Sequence, residues 1–167
     1  MRVLVADASV LMDLEQGHLL EMVLKSTVAV AVPDLLYEYE LKNRNGLKLV
    51  EWGLGVEELD AKAVTLAAEY KRHCSALCLV ESFALALAKI SSWTVLTSNP
   101  TLCKLARAEQ VDCHNFLWLL DCIVAEKVIS LEHLHSCLIT ILNSPYCCLP
   151  RHEVNEWIQR LFTKKLS

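Results

Sequence analysis

The amino-acid sequence predicts an α/β protein, a three-layer α/β/α sandwich around a mainly parallel sheet. Short, mostly uncharged apolar runs at residues 2–6 and 27–32 are typical of strands that are covered on both faces. Elsewhere the apolar residues recur with helical spacing, so that strands and helices alternate along the chain. Because right-handed crossovers return the chain over a parallel sheet, this alternation predicts helices on both of its faces.

The elements of the first half are bounded by recognisable signals. Ser9 opens a helix after the first strand, and Pro33 suits the first turn of a second helix. The other segments of this half are a turn at 43–46, a short ambiguous segment at 47–52, a small edge strand at 53–56 and a helix at 60–73.

The second half continues the alternation and then becomes entirely helical. A break at 143–145, Asn-Ser-Pro, separates the last two helices. The predicted elements are a buried helix at 79–90, a strand at 93–97, a helix at 100–110, a strand at 111–114, and three helices at about 116–126, 131–142 and 151–162.

Composition excludes several classes of protein. The 167 residues are 54% hydrophobic and 22% charged, with 4 Gly and 4 Pro, which is typical of one globular domain and not of a disordered chain. The net charge of -4 argues against non-specific coating of nucleic acid, although a local basic groove remains compatible with it. No apolar run reaches the length of about 18 residues needed to span a membrane, and the start lacks a signal-peptide core. We therefore expect a cytoplasmic protein with no membrane partner.

The chain has 8 cysteines, and none of them forms a C-x-x-C pair. A zinc site is therefore disfavoured. Most of the cysteines lie among apolar residues and are predicted to be free, small, buried side chains. The adjacent pair Cys147 and Cys148 has no assignment from the sequence.

Polar residues just after the apolar runs are the candidate functional residues, because ligands of open parallel sheets bind beyond the carboxyl ends of the strands. The candidates are Asp7 after the first strand, Glu38 and Glu40 on the first turns after the second, Glu81 at the start of the buried helix, and Thr97, Ser98 and Asn99 after the strand at 93–97. No dinucleotide-binding, P-loop or hydrolase nucleophile motif is present. A cluster of carboxylates that come from several strand ends suits Mg²⁺ or Mn²⁺, which can activate water and hold a phosphodiester for hydrolysis.

Four segments of the chain, in this order and spacing, resemble PIN domains, a family of nucleases. The first runs from Val3 to Leu14, where a strand ends in Asp7 and Ser9 follows closely. The others lie at 32–41, 77–88 and 95–102, so that the resemblance covers about residues 1–120. It is greatest to the VapC-like PIN proteins of bacteria and archaea, and it implies a metal-dependent ribonuclease ancestry.

The resemblance implies four acidic positions, of which this chain keeps Asp7 unchanged. The second position holds Tyr39, with Glu38 and Glu40 on either side. Neighbours on a helix point about 100° apart, so neither replaces the missing acid without a shift. At the third position Glu81 stands for an aspartate. The fourth holds Asn99, which retains an oxygen ligand and loses the charge.

From this resemblance we predict the following roles. The catalytic residues are Asp7, Glu81, Asn99, Glu38 and Glu40, and the metal ligands for Mg²⁺ or Mn²⁺ are Asp7, Glu81 and Glu38. Ser9, Thr97 and Lys104 are assigned to substrate binding. Each residue also has a structural alternative: Asp7 and Asn99 as helix caps, the three glutamates as charges on helix surfaces or first turns.

The predicted partner is RNA, single-stranded or structured. An antitoxin protein is a further expected partner if the chain is the toxin of a toxin–antitoxin pair, and a homodimer is a further possibility. The alternative function is a catalytically degenerate PIN domain that binds or scaffolds. A phosphoacceptor receiver is disfavoured because no paired acids and no later lysine follow the strands.

Two further expectations concern the C-terminal part and Asn99. Residues 1–125 are predicted to form the PIN-like domain, and 126–167 a helical extension packed on it that offers an interaction surface. Asn99→Asp is expected to raise activity with little change in stability, because Asp and Asn cap helices about equally well. Asp13 is expected to face solvent or cap a turn.

Overall fold

A computed structural model describes residues 3–164 and contains a five-stranded sheet with helices on both sides. Arg2, the first residue of the predicted first strand, lies outside the described residues. The strands are β1 Val3–Ala6, β2 Ala29–Pro33, β3 Gly55–Glu57, β4 Thr94–Leu96 and β5 Cys113–His114. The helices are α1 Ala8–Gln16, α2 Leu20–Leu24, α3 Asp34–Leu36, α4 Gly46–Trp52, α5 Ala61–His73, α6 Leu79–Ser91, α7 Pro100–Ala108, α8 Phe116–Ala125, α9 Leu131–Asn143 and α10 Arg151–Lys164.

All the strand pairs are parallel, and the strand order is β3-β2-β1-β4-β5. The chain builds outward from β1 in one direction through β3 and then crosses to β4 and β5 on the other side. This reversal places the carboxyl ends of β1 and β4 side by side, with Ala6 paired to Leu96. The residues that follow these two strands are therefore neighbours at the switch point where ligands of such sheets bind.

The two sides of the sheet have separate hydrophobic cores, as a three-layer sandwich requires. Alternate residues of β1 point to opposite sides: Leu4 and Ala6 contribute to one core and Val5 to the other. The first core is covered by α1, α2, α8, α9 and α10, and the second by α5, α6 and α7. The predicted fold class is thus confirmed.

The ambiguous segment at 47–52 is helical in the structure, and α4 begins at Gly46 and ends at Trp52. Gly53 follows with φ +115°, the left-handed conformation that ends a helix at little cost only for glycine. After α3 the chain continues as a π-helical turn, Tyr37–Leu41, which contains the position where the family resemblance expects an acid.

The last two helices pack into the first core and not onto a separate one. Leu138 and Val154 are fully buried in the same cluster as Leu4 of the central strand. Trp157 of α10 donates its indole N–H to Asp121 of α8 at 2.9 Å. Whether residues 126–167 also act as an interaction surface stays a prediction.

The cysteines are less uniform than expected. Cys103 of α7 and Cys113 of β5 form a disulfide, with their Cα atoms 5.6 Å apart, so the prediction of a free thiol is wrong for these two. Among the six free cysteines only Cys137 is buried, and Cys78 and Cys148 are exposed. Spacing alone did not indicate the pairing, because the two cysteines meet only when α7 packs against β5.

Among residues 3–164, no helix combines the length and the apolar character that a membrane crossing requires.

Candidate functional site at the carboxyl ends of the central strands

Asp7 lies directly after β1 and is the most buried carboxylate of the candidate set, with 4% of its surface exposed. Its Oδ1 atom accepts hydrogen bonds from the Val10 amide at 3.0 Å and from the Ser9 hydroxyl at 2.8 Å. The first of these bonds caps α1, so the structural role expected of an N-cap aspartate is present. A cap at a helix surface is usually solvated, however, whereas this one is enclosed.

Burial raises the pKa of Asp7, because removal from water disfavours the charged carboxylate. Hydrogen bonds from Thr97, Val10 and Ser9 oppose this increase, and repulsion from the Glu81 carboxylate adds to it. The raised pKa is the direction expected for paired acids without a bound cation. A divalent cation would relieve both the desolvation and the repulsion, since it supplies the missing positive charge.

Thr97 connects β4 to this carboxylate. Its hydroxyl donates to Asp7 Oδ2 and accepts from the Asn99 amide N–H at 2.9 Å. Thr97 is only 2% exposed, so its hydroxyl is directed into the protein. It therefore positions Asp7, and the predicted contact between Thr97 and a substrate stays a prediction.

Glu81 and Asn99 form the second part of the site. Glu81 Oε1 accepts from Asn99 Nδ2 at 2.7 Å, and Glu81 Oε2 accepts from the Cys78 amide at 2.7 Å in a capping box at the start of α6. Asn99 Oδ1 in turn accepts from the Thr101 amide and caps α7. Glu81 and Asn99 therefore do cap helices, as the structural alternatives propose. The bond from Asn99 Nδ2 to Glu81 Oε1 also holds the two side chains together.

Asp7, Thr97, Asn99 and Glu81 consequently form one continuous hydrogen-bonded network, which we call the acidic network. It joins the ends of β1 and β4 to the first turn of α6, three places that are far apart in sequence. Of the residues predicted to share one cleft, namely Asp7, Glu81, Asn99 and at least one of Glu38 and Glu40, the hydrogen bonds thus connect the first three. The catalytic role of each residue stays a proposal.

The structure does not bring Glu38 or Glu40 into the acidic network. Glu38 is more than half exposed and pairs with Lys42 Nζ at 2.7 Å, one helical turn away. Glu40 is exposed and lines a separate cleft of about 170 Å³ beside α1 with Arg44 and Tyr39. Tyr39, which is 78% exposed, presents a phenol at the position where the resemblance implies an acid.

The two carboxylates fit a divalent cation only in part. Their oxygens are the right donors for Mg²⁺ or Mn²⁺, and the raised pKa of Asp7 and its repulsion from Glu81 indicate an uncompensated charge. Within residues 3–164, however, no group of three or more His, Cys, Asp or Glu side chains is close enough to hold a metal ion. A cation would be held by Asp7 and Glu81 and not by the predicted trio with Glu38.

Asp13 is a buried acid that the sequence did not reveal as one, and the expectation that it faces solvent or caps a turn is wrong. Its exposed fraction is 0%, and Oδ1 accepts from the Cys148 amide at 3.3 Å. Burial raises its pKa to about 6, and the negative charge of Asp7 contributes to this increase. The spacing of Asp13 from Val10 places both on the apolar face of α1, and that spacing was the available signal.

An open groove of about 700 Å³ begins at the acidic network, at Thr97 and Asn99. Lys104 and Arg107 of α7 line one part of it, and His114 and Trp118 line another. Lys104 thus lines the groove, and its predicted contact with a substrate stays a prediction. Ser9 is bound to Asp7 instead and does not line this groove.

A parallel α/β/α sheet with an acidic pair at its switch point is the architecture that the resemblance to PIN domains predicts. Residues 3–162 match a family model that is described as a PIN domain. Because this match spans nearly the whole chain, the protein belongs to the PIN domain family. PIN domains are generally nucleases, and they generally depend on divalent metal ions.

A solved structure supports the same fold. The chain is similar to a PilT N-terminus domain protein, SSO1118, from the hyperthermophilic archaeon Sulfolobus solfataricus P2, with a TM-score of 0.52 and 13% identity over 72% of this chain and 92% of that one. At this identity the likeness shows the fold alone. No curated protein gives a significant match. The closer likeness to VapC-like proteins stays a prediction.

Proposed function

We propose that this protein is a metal-dependent ribonuclease with a reduced metal site, which hydrolyses RNA phosphodiesters slowly. The observation that supports the proposal is the acidic network, in which a buried aspartate and a glutamate are linked through Thr97 and Asn99. Structural caps alone do not require that two carboxylates from distant segments be joined by one chain of hydrogen bonds.

In this proposal Asp7 and Glu81 hold Mg²⁺ or Mn²⁺, which when bound supplies an activated water and neutralises charge on the phosphodiester. Thr97 and Ser9 fix the orientation of the Asp7 carboxylate through their hydroxyl groups. The side-chain amide of Asn99 donates to Glu81 Oε1 and so fixes the position of that oxygen. Lys104, one turn along α7, is placed to hold an RNA phosphate next to the site.

Reduced activity follows from the missing charges. Tyr39 and Asn99 occupy positions where the family resemblance implies acids, and Glu38 is paired with Lys42 on the surface. Metal affinity depends on the number of charged ligands, so two carboxylates bind a cation more weakly than four. Because a proton competes with the cation for Asp7, whose pKa is raised, metal binding is expected to weaken as the pH falls.

The test is cleavage of single-stranded RNA by the purified full chain with Mn²⁺ or Mg²⁺. Asp7→Asn is expected to abolish cleavage and to remove the stabilisation by Mn²⁺ in a thermal melt. Asp60→Asn is the matched control, because Asp60 also caps a helix, through the Ala63 amide, and lies outside the site. Cleavage that continues in excess EDTA, or in Asp7→Asn, would show that another site is responsible.

The second candidate is a degenerate PIN domain that binds RNA or a protein without catalysis. It is favoured by the same two departures, and by the fact that all four carboxylate oxygens of Asp7 and Glu81 already accept hydrogen bonds. Absence of cleavage with either metal, together with retained RNA binding, would select this candidate. Three further predictions are an antitoxin partner, which co-purification can test, a homodimer, which light scattering can test, and a cytoplasmic location, which cell fractionation can test.

A further inference from the structure

The groove that begins at the acidic network contains two stacked aromatic rings. The rings of His114 and Trp118 lie 3.9 Å apart between centroids with an interplanar angle of 7°. His114 is the last residue of β5, and Trp118 lies one turn later in the first turn of α8. Asn115 caps that helix through the Trp118 amide at 3.0 Å, which fixes the backbone that carries the tryptophan.

Both rings are only partly buried and line the groove together with Lys104 and Arg107. Neither of these two cations forms an ion pair with an acidic side chain among residues 3–164. Glu153 of α10 is the acidic side chain that lines the groove. The groove therefore contains two cations of α7 that have no acidic partner in the described part of the chain, and an aromatic pair formed by the end of β5 and the first turn of α8.

We infer that this groove is a nucleotide subsite, in which the base of a single-stranded RNA stacks on the His114–Trp118 pair and its phosphate lies against Lys104 and Arg107. Unpaired bases stack on aromatic side chains without sequence preference, and cations hold the backbone phosphates. The groove volume of about 700 Å³ lies within the range of small-molecule sites. Because the groove begins at Asn99, a nucleotide bound there is next to the acidic network.

This inference deepens the proposed ribonuclease function by naming the residues of this chain that hold a base next to the acidic network. Stacking requires a base that is free of its partner strand, so the groove selects single-stranded over duplex RNA. A phosphate contact alone would not make this selection, since both forms present phosphates.

The test is binding of a short labelled oligouridylate to the full chain, measured by fluorescence anisotropy in EDTA so that no cleavage occurs. A backbone of the same length without bases and a duplex are the comparison ligands. Trp118→Leu is expected to weaken binding of the intact strand about ten-fold, within the range of roughly 5- to 150-fold that loss of one stacked base implies. The same change is expected to leave binding of the abasic backbone unaltered.

Trp52→Leu is the matched control, since Trp52 is also half-buried but lies at the end of α4, outside the groove. It is expected to alter neither affinity. Lys104→Gln is expected to weaken binding of intact and abasic strands alike and to reduce the slope of affinity against salt by about 0.7, the contribution of one single-strand phosphate.

Three results would overturn the inference: equal affinity of the wild type for intact and abasic strands, equal affinity for the duplex, or no effect of Trp118→Leu on the intact strand.

If Trp118→Leu does not fold, quenching of wild-type tryptophan fluorescence provides the second measurement. Intact RNA is expected to quench it, abasic RNA is not, and Trp118→Phe should remove the effect. A chain that shows base-dependent binding but no cleavage refutes the proposed nuclease and leaves the subsite standing.

Discussion

Asp13→Asn is expected to stabilise the protein above pH 6. The Asp13 carboxyl is fully buried on α1, where Oδ1 accepts a single backbone hydrogen bond from Cys148. Its Oδ2 atom is buried and has no hydrogen-bond partner in the part of the chain that the structure describes. Oε1 of Gln16, one turn later on the same helix, is also buried without a partner. An amide in place of the carboxyl keeps the acceptor for Cys148 and adds a donor on this face.

The size of the effect follows from the pKa of Asp13, which burial raises from 3.8 to about 6. One pKa unit corresponds to 1.36 kcal/mol, so the ionised carboxyl costs the folded state about 3 kcal/mol at most. The favourable difference is fully present below the unfolded value near 3.8 and is lost as the pH rises through about 6. Asn does not titrate, so it escapes this loss, and the gain at pH 8 corresponds to a melting temperature higher by roughly 5 to 10 °C.

The assay is urea denaturation of wild type and Asp13→Asn from pH 4 to pH 8, with the free energy of unfolding compared at each pH. The advantage of the variant is expected to grow over this interval and to level off above pH 6. Asp60→Asn, which changes a helix-capping aspartate outside the core, provides the control for loss of one charge. A difference between Asp13→Asn and wild type that does not depend on pH, or a variant that is less stable at pH 8, would refute the reasoning.

Two further predictions concern the acidic network and the docking of α9. Asn99→Asp replaces the side-chain amide that donates to Glu81 by a third carboxylate. In EDTA this change should lower the free energy of unfolding by about 1.5 to 3 kcal/mol, although capping alone predicts little change. Mn²⁺ should restore stability in thermal melts and raise cleavage, and an unchanged melt in EDTA would contradict this prediction. Gly17→Ala places a Cβ only 2.6 Å from Ile141 Cδ1 and should cost about 1 to 3 kcal/mol in urea denaturation. In an Ile141→Ala background the same change should cost much less, since the clashing atoms are gone, and equal costs in both backgrounds would argue against this contact.

The sequence by itself determined the alternation of strands and helices and the ends of most elements. Asp60 and Asn99 precede helices that begin where their capping side chains predict, because capping is a local interaction within one turn. Parallel order followed from the same pattern, since a helix between two strands brings the chain back in the same direction. The candidates Asp7 and Asn99 were found for a related reason: residues after parallel strands meet at one edge of the sheet. Glu81 begins a helix that follows another helix, and its role came from the family resemblance.

Tertiary packing decided which of those candidates meet and which acids are buried. Glu38 and Glu81 are both glutamates that the family resemblance implies as metal ligands, yet one pairs with Lys42 in water and the other with Asn99 beside Asp7. The spacing of Asp13 from Val10 places it on the apolar face of α1, but its contact with the Cys148 amide joins two segments that are far apart in the sequence. Long-range contacts of this kind depend on which surfaces come together, and the spacing of residues along one helix or strand does not contain that information.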